Sequence, residues 1–285
     1  MNLIKGKLLV VGHLARDIVK RNSVCHKFWG GSAFHVSLAA SFYLPVGQVV
    51  IKSRIGKDFD LSILKNLGID ISYLGIDSGK MTDRHWLNEE GGRRAFRSEG
   101  DLGKNIDIKD VEDIEGVGWI HLAASSPEQQ LEWLEQIKTM GFGDVPISCD
   151  TFDTFTRTRP NLVKKVMEKC NLGFANEFEG REIGGENLDT DMVLKLGAKG
   201  AEYYSKGKLE VKAATIDNIE VRDTIGAGDV VAGVFIAQLL NGAGKKDALE
   251  EACRVASMST MGFGTEHLVD RMGLGNNFTV EADGN

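Results

Sequence analysis

The sequence predicts an α/β protein, with a mostly parallel sheet covered by helices and a small β excursion set against it. Three observations carry this. Short apolar runs of strand type alternate with longer helical patterns along nearly the whole chain. The 285 residues suit one large domain, or one plus a small accessory. One region breaks the alternation with two strand-like runs around a glycine-rich turn.

The elements follow in order. Leu8-Leu9-Val10-Val11, ending at Gly12, reads as a first buried strand. Ser32 to Tyr43 reads as a small-residue helix, and Val49-Val50-Ile51 as a second strand. Phe59 to Leu67 is helical, with Gly68 as its stop signal. Trp119 to Leu122 and Pro146 to Cys149 are strands, with the amphipathic run Glu128 to Met140 between them. Leu172 to Ala175 and Asp191 to Leu196 continue the pattern. The exception is Arg84 to Leu87 and Arg93 to Phe96, which flank Asn88-Glu89-Glu90-Gly91-Gly92 as a hairpin. Such an insertion serves as a lid, as an oligomer edge, or as a plain surface excursion.

Composition narrows the function. The net charge of −7 argues against nucleic acid as the main partner. No run reaches the ~20 apolar residues of a membrane helix, and the start does not resemble a signal peptide. The expected setting is therefore the cytoplasm, with no membrane partner. Cys25, Cys149, Cys170 and Cys253 lie far apart without a CxxC and read as reduced, mostly buried thiols. The histidines lack paired metal-ligand spacing. Glycine is abundant, 34 residues against 4 prolines, so its placement carries information.

The sharpest placement is Asp223-Thr224-Ile225-Gly226-Ala227-Gly228-Asp229. It follows a strand-like stretch ending near Val221. It precedes Val230 to Leu240, an apolar helix that closes at Asn241-Gly242. The glycines thus sit where a loop becomes a helix N-terminus, where amides and the helix dipole hold an anion. Asp229 reads either as a cap or as a carboxylate that takes a proton from an attacking hydroxyl.

This motif resembles the DTxGAGD signature of the ribokinase-like (PfkB-type) carbohydrate kinases. Gly12 to Asp17 looks like that family's first strand and sugar-binding Asp, and Gly30-Gly31 like its GG motif. Asn176-Glu177-Phe178-Glu179 is similar to its NxxE, and Leu196 to Gly200 to its LGxxG. Ala256 to Thr265 looks like its adenine-side loop. The resemblance implies a three-layer αβα core over 1–12, 31–79 and 104–285, and a β lid over 13–30 and 80–103. It implies ATP and Mg²⁺, leaves a monovalent cation open, and implies transfer to a hydroxyl of a small sugar or nucleoside.

Carried over residue by residue, Asp229 would be the base and the amides of Gly226, Ala227 and Gly228 the anion hole. Asp17, Gly30 and Gly31 would hold the acceptor. Asn176 and Glu179 would position Mg²⁺ through water. Asn176, Lys195, Gly197, Gly200, Thr224, Gly226, Gly228 and Gly264 would line the nucleotide. Asn176 would equally serve as a helix cap, and Gly197 and Gly200 as a bare hairpin turn.

The chain departs from the family at the acceptor side. His35 stands where an Asn commonly touches the sugar; a hydroxyl contact and helix packing both stay open for it. Cys149-Asp150-Thr151-Phe152 lacks the Asn of the mid-chain DxN, and Ala123-Ala124-Ser125-Ser126 replaces a Glu. Arg97 would reach a carboxylate from the lid, or be a solvated charge. An alternative acceptor is thus a sugar acid or a cofactor-precursor alcohol. A remoter alternative is a sensing protein without turnover. The lid aromatics Phe28, Trp29, Trp86 and Phe96 would cover a ring or pack the lid. An exposed lid edge needs covering, which a homodimer through the lid would supply.

Overall fold

In the computed structural model, residues 6–21, 24–90, 93–264, 266–271 and 281–284 are described. The chain begins with β1 (Lys7–Val11) and leaves the core for the hairpin β2 (Ala15–Arg21) and β3 (Val24–Gly30). It returns as helix α1 (Ser32–Ser41) and strand β4 (Val49–Lys52). Next come β5 (Arg54–Gly56), α2 (Leu61–Asn66) and β6 (Gly75–Asp77), then a second hairpin, β7 (Arg84–Glu90) and β8 (Arg93–Glu99). The alternation resumes with β9 (Val117–Leu122), α3 (Pro127–Thr139), β10 (Ile147–Asp150), α4 (Asp153–Thr158) and α5 (Pro160–Glu168). It continues through β11 (Leu172–Asn176), α6 (Glu177–Ile183), β12 (Asp191–Lys195), β13 (Ala201–Ser205) and β14 (Lys208–Ala213). The last elements are α7 (Ala227–Leu240), α8 (Lys245–Ser259), α9 (Glu266–Arg271) and β15 (Glu281–Gly284).

The main sheet runs β14-β13-β12-β11-β10-β9-β1-β4, parallel from β12 to β4 and antiparallel at β13 and β14. Burial on both faces explains its continuous apolar strands. In β1, Leu8 and Val10 join the core beside α1, α7 and α8, while Leu9 and Val11 join the core beside α3 and α5. Helix α7 is apolar on nearly every side because α1 and α8 flank it. Gly233 lets α1 approach: a Cβ there would sit 3.1 Å from the Val36 carbonyl carbon.

A second sheet, β15-β3-β2-β7-β8, forms the lid. Its register sets Asp17 of β2 opposite Phe28 of β3 and His85 of β7, so these three share one face. The hairpin turn assigned to Gly91-Gly92 lies outside the described residues.

Three features differ from the sequence reading. The stretch before the glycine motif is not a strand: β14 ends at Ala213, and residues 214–226 are irregular. Val221 there is 57% exposed, and the backbone is held by α8 and its exit: Ile216 N–H donates to Ser257 Oγ and Arg222 N–H to Thr260 O. Glu281–Gly284, assigned with the core, instead pairs with β3 and extends the lid. Cys149 and Cys170, read as reduced thiols, are joined as a disulfide, while Cys25 and Cys253 are free. Parallel pairing of β10 with β11 brings those two residues together, a contact that a 21-residue separation hides.

Candidate active site

The glycine motif shapes the entry to α7. Gly226 caps the helix at φ +73°, a conformation glycine adopts at little cost. It also has no room for a side chain: a Cβ would lie 2.6 Å from the His35 ring. Asp223 holds the loop from within. Its Oδ1 accepts from Ile225 N–H at 3.2 Å and its Oδ2 from Gly264 N–H at 3.1 Å. First-turn amides of a helix have no acceptor one turn back, and here Ala227 N–H makes only a long 3.4 Å contact to Thr224 O. This end of α7 is therefore built to receive an anion.

Asp229 stands in that first turn. Ser32 Oγ donates to Asp229 Oδ1, and Ser32 Oγ in turn accepts from Ala124 N–H at 3.2 Å. The small-residue loop Ala123 to Ser126 thus braces the carboxylate indirectly. Burial, and then the nearby charge of Asp150, push the Asp229 carboxyl up to about 6, against the pull of His35 and Lys195. A carboxylate poised near neutrality suits proton abstraction.

Beside it lies a charged cluster. Lys195 Nζ, at the end of β12, donates to both Asp150 oxygens at 2.8 and 2.7 Å. Asp150 Oδ1 also accepts from Thr151 N–H at 2.8 Å. Burial opposes the charge on Lys195, but Asp150, Glu179 and Asp229 outweigh it and keep the ammonium protonated. A Cβ on Gly228 would sit 3.3 Å from Lys195 Nζ, so the ammonium lies against the anion-binding turn. Asn176 and Glu179 form a reciprocal capping box on α6: Asn176 N–H donates to Glu179 Oε2 at 2.8 Å, and Glu179 N–H to Asn176 Oδ1 at 2.9 Å. Burial pushes Glu179 up to about 7.

The lid side centres on Asp17, which is buried. Its Oδ2 accepts from Gly31 N–H at 3.3 Å and lies 3.7 Å from His35 Nε2, an ion-pair distance. Its Oδ1 lies 3.2 Å from His85 Nδ1. Burial alone would raise the Asp17 carboxyl, but the two imidazoles hold it at about 2. Burial likewise disfavours charge on His35, yet Asp17, Asp229 and Asp223 raise its pKa. Gly30 leaves no space above Asp17: a Cβ there would lie 2.5 Å from Asp17 Cγ, and closer still to Oδ2. Gly31, at φ +91°, caps α1.

One helical turn joins the two carboxylates. Ser32 touches Asp229 and His35 faces Asp17, and residues three apart on a helix share a face.

Arg97 is not part of this cluster. It pairs across the strands with Trp86, one residue from His85, and so projects from the outer lid face. Its guanidinium is 74% exposed and bonds Glu99. Gly197 and Gly200 bound a tight turn closed by Leu196 N–H to Gly200 O at 2.8 Å. Gly200, at φ +96°, packs onto the end of β14. Gly264 packs on Phe28 of the lid. Thr224 lies in the irregular run that leads into α7, where its carbonyl faces Ala227 N–H. Trp29, partly buried, packs against Phe59 at the edge of the core, and Trp86 is on the outer face. Only Phe96 is half-open on the inner face, between His85 and Phe152.

Sequence reasoning missed three contributors. Ser32 follows Gly30-Gly31 directly, so its place in the first turn of α1 was a usable signal. Asp150 as the partner of Lys195, and His85 as the partner of Asp17, depend on sheet pairing and left no local mark.

A carboxylate at a helix N-terminus lined by glycine amides, joined by one helical turn to a second buried carboxylate, is an arrangement compatible with phosphoryl transfer. The model of the pfkB family of carbohydrate kinases matches residues 5–271. The chain belongs to that family. A cytidine kinase of Thermococcus kodakarensis is 27% identical over 268 residues, covering 87% of this chain and 92% of the relative. Among solved structures, the nucleoside kinase of Methanocaldococcus jannaschii superposes with a TM-score of 0.73 at 20% identity, covering 92% and 94% of the two chains. A ribokinase of Cryptococcus neoformans in complex with ADP gives 0.75 at 18% identity, covering 92% and 96%.

Proposed function

We propose that the protein transfers the γ-phosphoryl group of ATP to a hydroxyl of a small sugar or nucleoside. The observation that carries this is the position of Asp229: in the first turn of α7, raised toward neutrality, and tied through Ser32 and α1 to the Asp17 pocket. Asp17 and the Gly30-Gly31 backbone hold the acceptor, and Asp229 takes the proton from its hydroxyl. The amides of Gly226, Ala227 and Gly228 stabilise charge on the moving phosphoryl group. The nucleoside kinase, cytidine kinase and ADP-bound ribokinase relatives support both the acceptor class and the nucleotide donor. The cytoplasm is the compartment that supplies such a donor.

A magnesium ion fits the donor side only through water. Asn176 and Glu179 are engaged with one another, and among the described residues no group of three or more His, Cys, Asp or Glu is arranged to hold a metal. An ion carried mainly by the nucleotide and its own water suits that pair. When bound, it would neutralise phosphate charge. Arg97 lies on the outer face and bonds Glu99, so a sugar-acid acceptor would have to draw on another cation. The lid remains the surface we assign to a homodimer, with Trp86 39% exposed on its outer face.

The test is a screen for ADP release from ATP and Mg²⁺ with pentoses, hexoses, sugar acids and nucleosides. Turnover of a neutral sugar or nucleoside is expected. Exclusive turnover of a sugar acid would overturn the acceptor assignment, and no turnover with any acceptor would overturn the reading.

A further inference from the structure

We propose that His85, delivered by lid strand β7, is an acceptor-binding residue that shares one substrate hydroxyl with Asp17. The inference rests on the kinase reading above and adds a residue to its acceptor pocket. Three observations carry it. His85 Nδ1 stands 3.2 Å from Asp17 Oδ1, yet that buried oxygen has no hydrogen-bond partner, so the contact is close but misdirected. Both nitrogens of His35, on the other side of the carboxylate, are also buried without hydrogen bonds. A buried carboxylate oxygen without a hydrogen bond, beside a His35 ring without one, is costly unless a ligand completes it.

The chemistry of the missing group follows from the atoms. Next to a carboxylate oxygen, His85 Nδ1 must carry its hydrogen, because two lone-pair atoms would repel. The site therefore offers one acceptor, Asp17 Oδ1, and one donor, His85 Nδ1–H, at a single point. A hydroxyl satisfies both at once: its hydrogen goes to Asp17 and its oxygen accepts from His85. An ether oxygen or an ammonium would satisfy only one.

Aromatic packing backs the His85 ring. The His85 ring packs on Phe96, with ring centroids 5.2 Å apart, and Phe96 meets Phe152 of the core edge-on at 4.9 Å. Phe152 lies two residues after Asp150, the partner of Lys195. The register of β2 with β7 sets His85 beside Asp17, and this packing holds the ring against the core.

The test compares wild type with His85→Phe, which keeps the ring packing but lacks the donor, and His85→Asn, which keeps a donor near the Nδ1 position. Substrates are the acceptor turned over fastest in the screen and its monodeoxy analogues. His85→Phe should raise the KM of the parent acceptor about 10- to 100-fold, the scale of a lost hydrogen bond in a charged pair, and leave the KM for ATP within about twofold. His85→Asn should recover most of that loss. For one deoxy analogue, the one lacking the shared hydroxyl, wild type and His85→Phe should have nearly the same KM. An active wild type with an unmoved acceptor KM in His85→Phe, or an equal rise for the parent and every analogue, would overturn the inference while leaving the kinase reading intact. A wild type that turns over no acceptor would fail the kinase reading, and the inference with it.

Discussion

Replacing Gly30 with alanine isolates the acceptor end of the site. Gly30 lies outside the left-handed region, so its backbone accepts alanine without conformational strain. The new methyl, however, would stand 2.5 Å from Asp17 Cγ, where ordinary contact begins near 3.4 Å. Asp17 cannot simply yield, because Gly31 N–H, His35 and His85 surround its carboxylate. It must swing aside by about 1 Å, enough to break hydrogen bonds whose useful range spans only about 0.5 Å. A hydroxyl contact to a charged carboxylate is worth about 1.5–3 kcal/mol. Its loss corresponds to a fall of about 10–10² in kcat/KM for the acceptor. The nucleotide side shares no atom with Gly30, so the KM for ATP should stay within about twofold. Coupled ADP release with each substrate varied in turn gives both constants. A folded Gly30→Ala protein with an unchanged acceptor kcat/KM would refute the placement of the acceptor on Asp17.

Two further outcomes concern stability. Glu179 and Asp229 are held at about 7 and about 6, above ordinary carboxylates, and His35 is raised above an ordinary imidazole. The folded state therefore binds these protons more tightly than the unfolded chain. Their contribution is fully present only below about pH 4 and is lost as pH rises through 6 and 7, so the melting temperature should fall by about 2–5 °C between pH 5 and 8 in a calorimetric series. Asp17, held at about 2, has the opposite sign and acts only below about pH 4. A melting temperature that rises across pH 5–8 would contradict the buried, protonatable state of Glu179 and Asp229. Gly200→Ala combines φ +96° with a Cβ 2.9 Å from the Ala213 carbonyl carbon. It should cost about 2–4 kcal/mol in a denaturant titration, and an unchanged midpoint would show that the β12–β13 turn relaxes freely.

The parts of this protein that were legible in its sequence are those written locally. Leu8 to Val11 reads as a strand buried on both faces, and the structure alternates those four side chains between the two cores. Gly226-Ala227-Gly228-Asp229 reads as a helix entry for an anion because the backbone geometry and the residue types sit within four positions. The acceptor pocket was legible only in part. Asp17 and Gly30-Gly31 carry a motif, but His85 reaches Asp17 through the pairing of β2 with β7, 68 positions away in the chain. Asp150 and Lys195 likewise meet across strands, where neither neighbourhood names the other. Val221 misled because Ile219-Glu220-Val221 alternates apolar and charged residues as a strand does, while the backbone there finds its partners on Ser257 and Thr260 rather than in a ladder. Arg97 misled because strand alternation places it one residue out of phase with His85 and Phe96 on the inner face.

The most direct measurement of the central claim is kcat for Asp229→Asn at saturating ATP and acceptor, at pH 8 where the wild-type carboxyl is ionised. Asparagine keeps the size and the capability to accept from Ser32, but it takes no proton. Asp229 as the base predicts a fall of about 10²–10⁴ in kcat with the KM for ATP nearly unchanged. A kcat within a few-fold of wild type would contradict it.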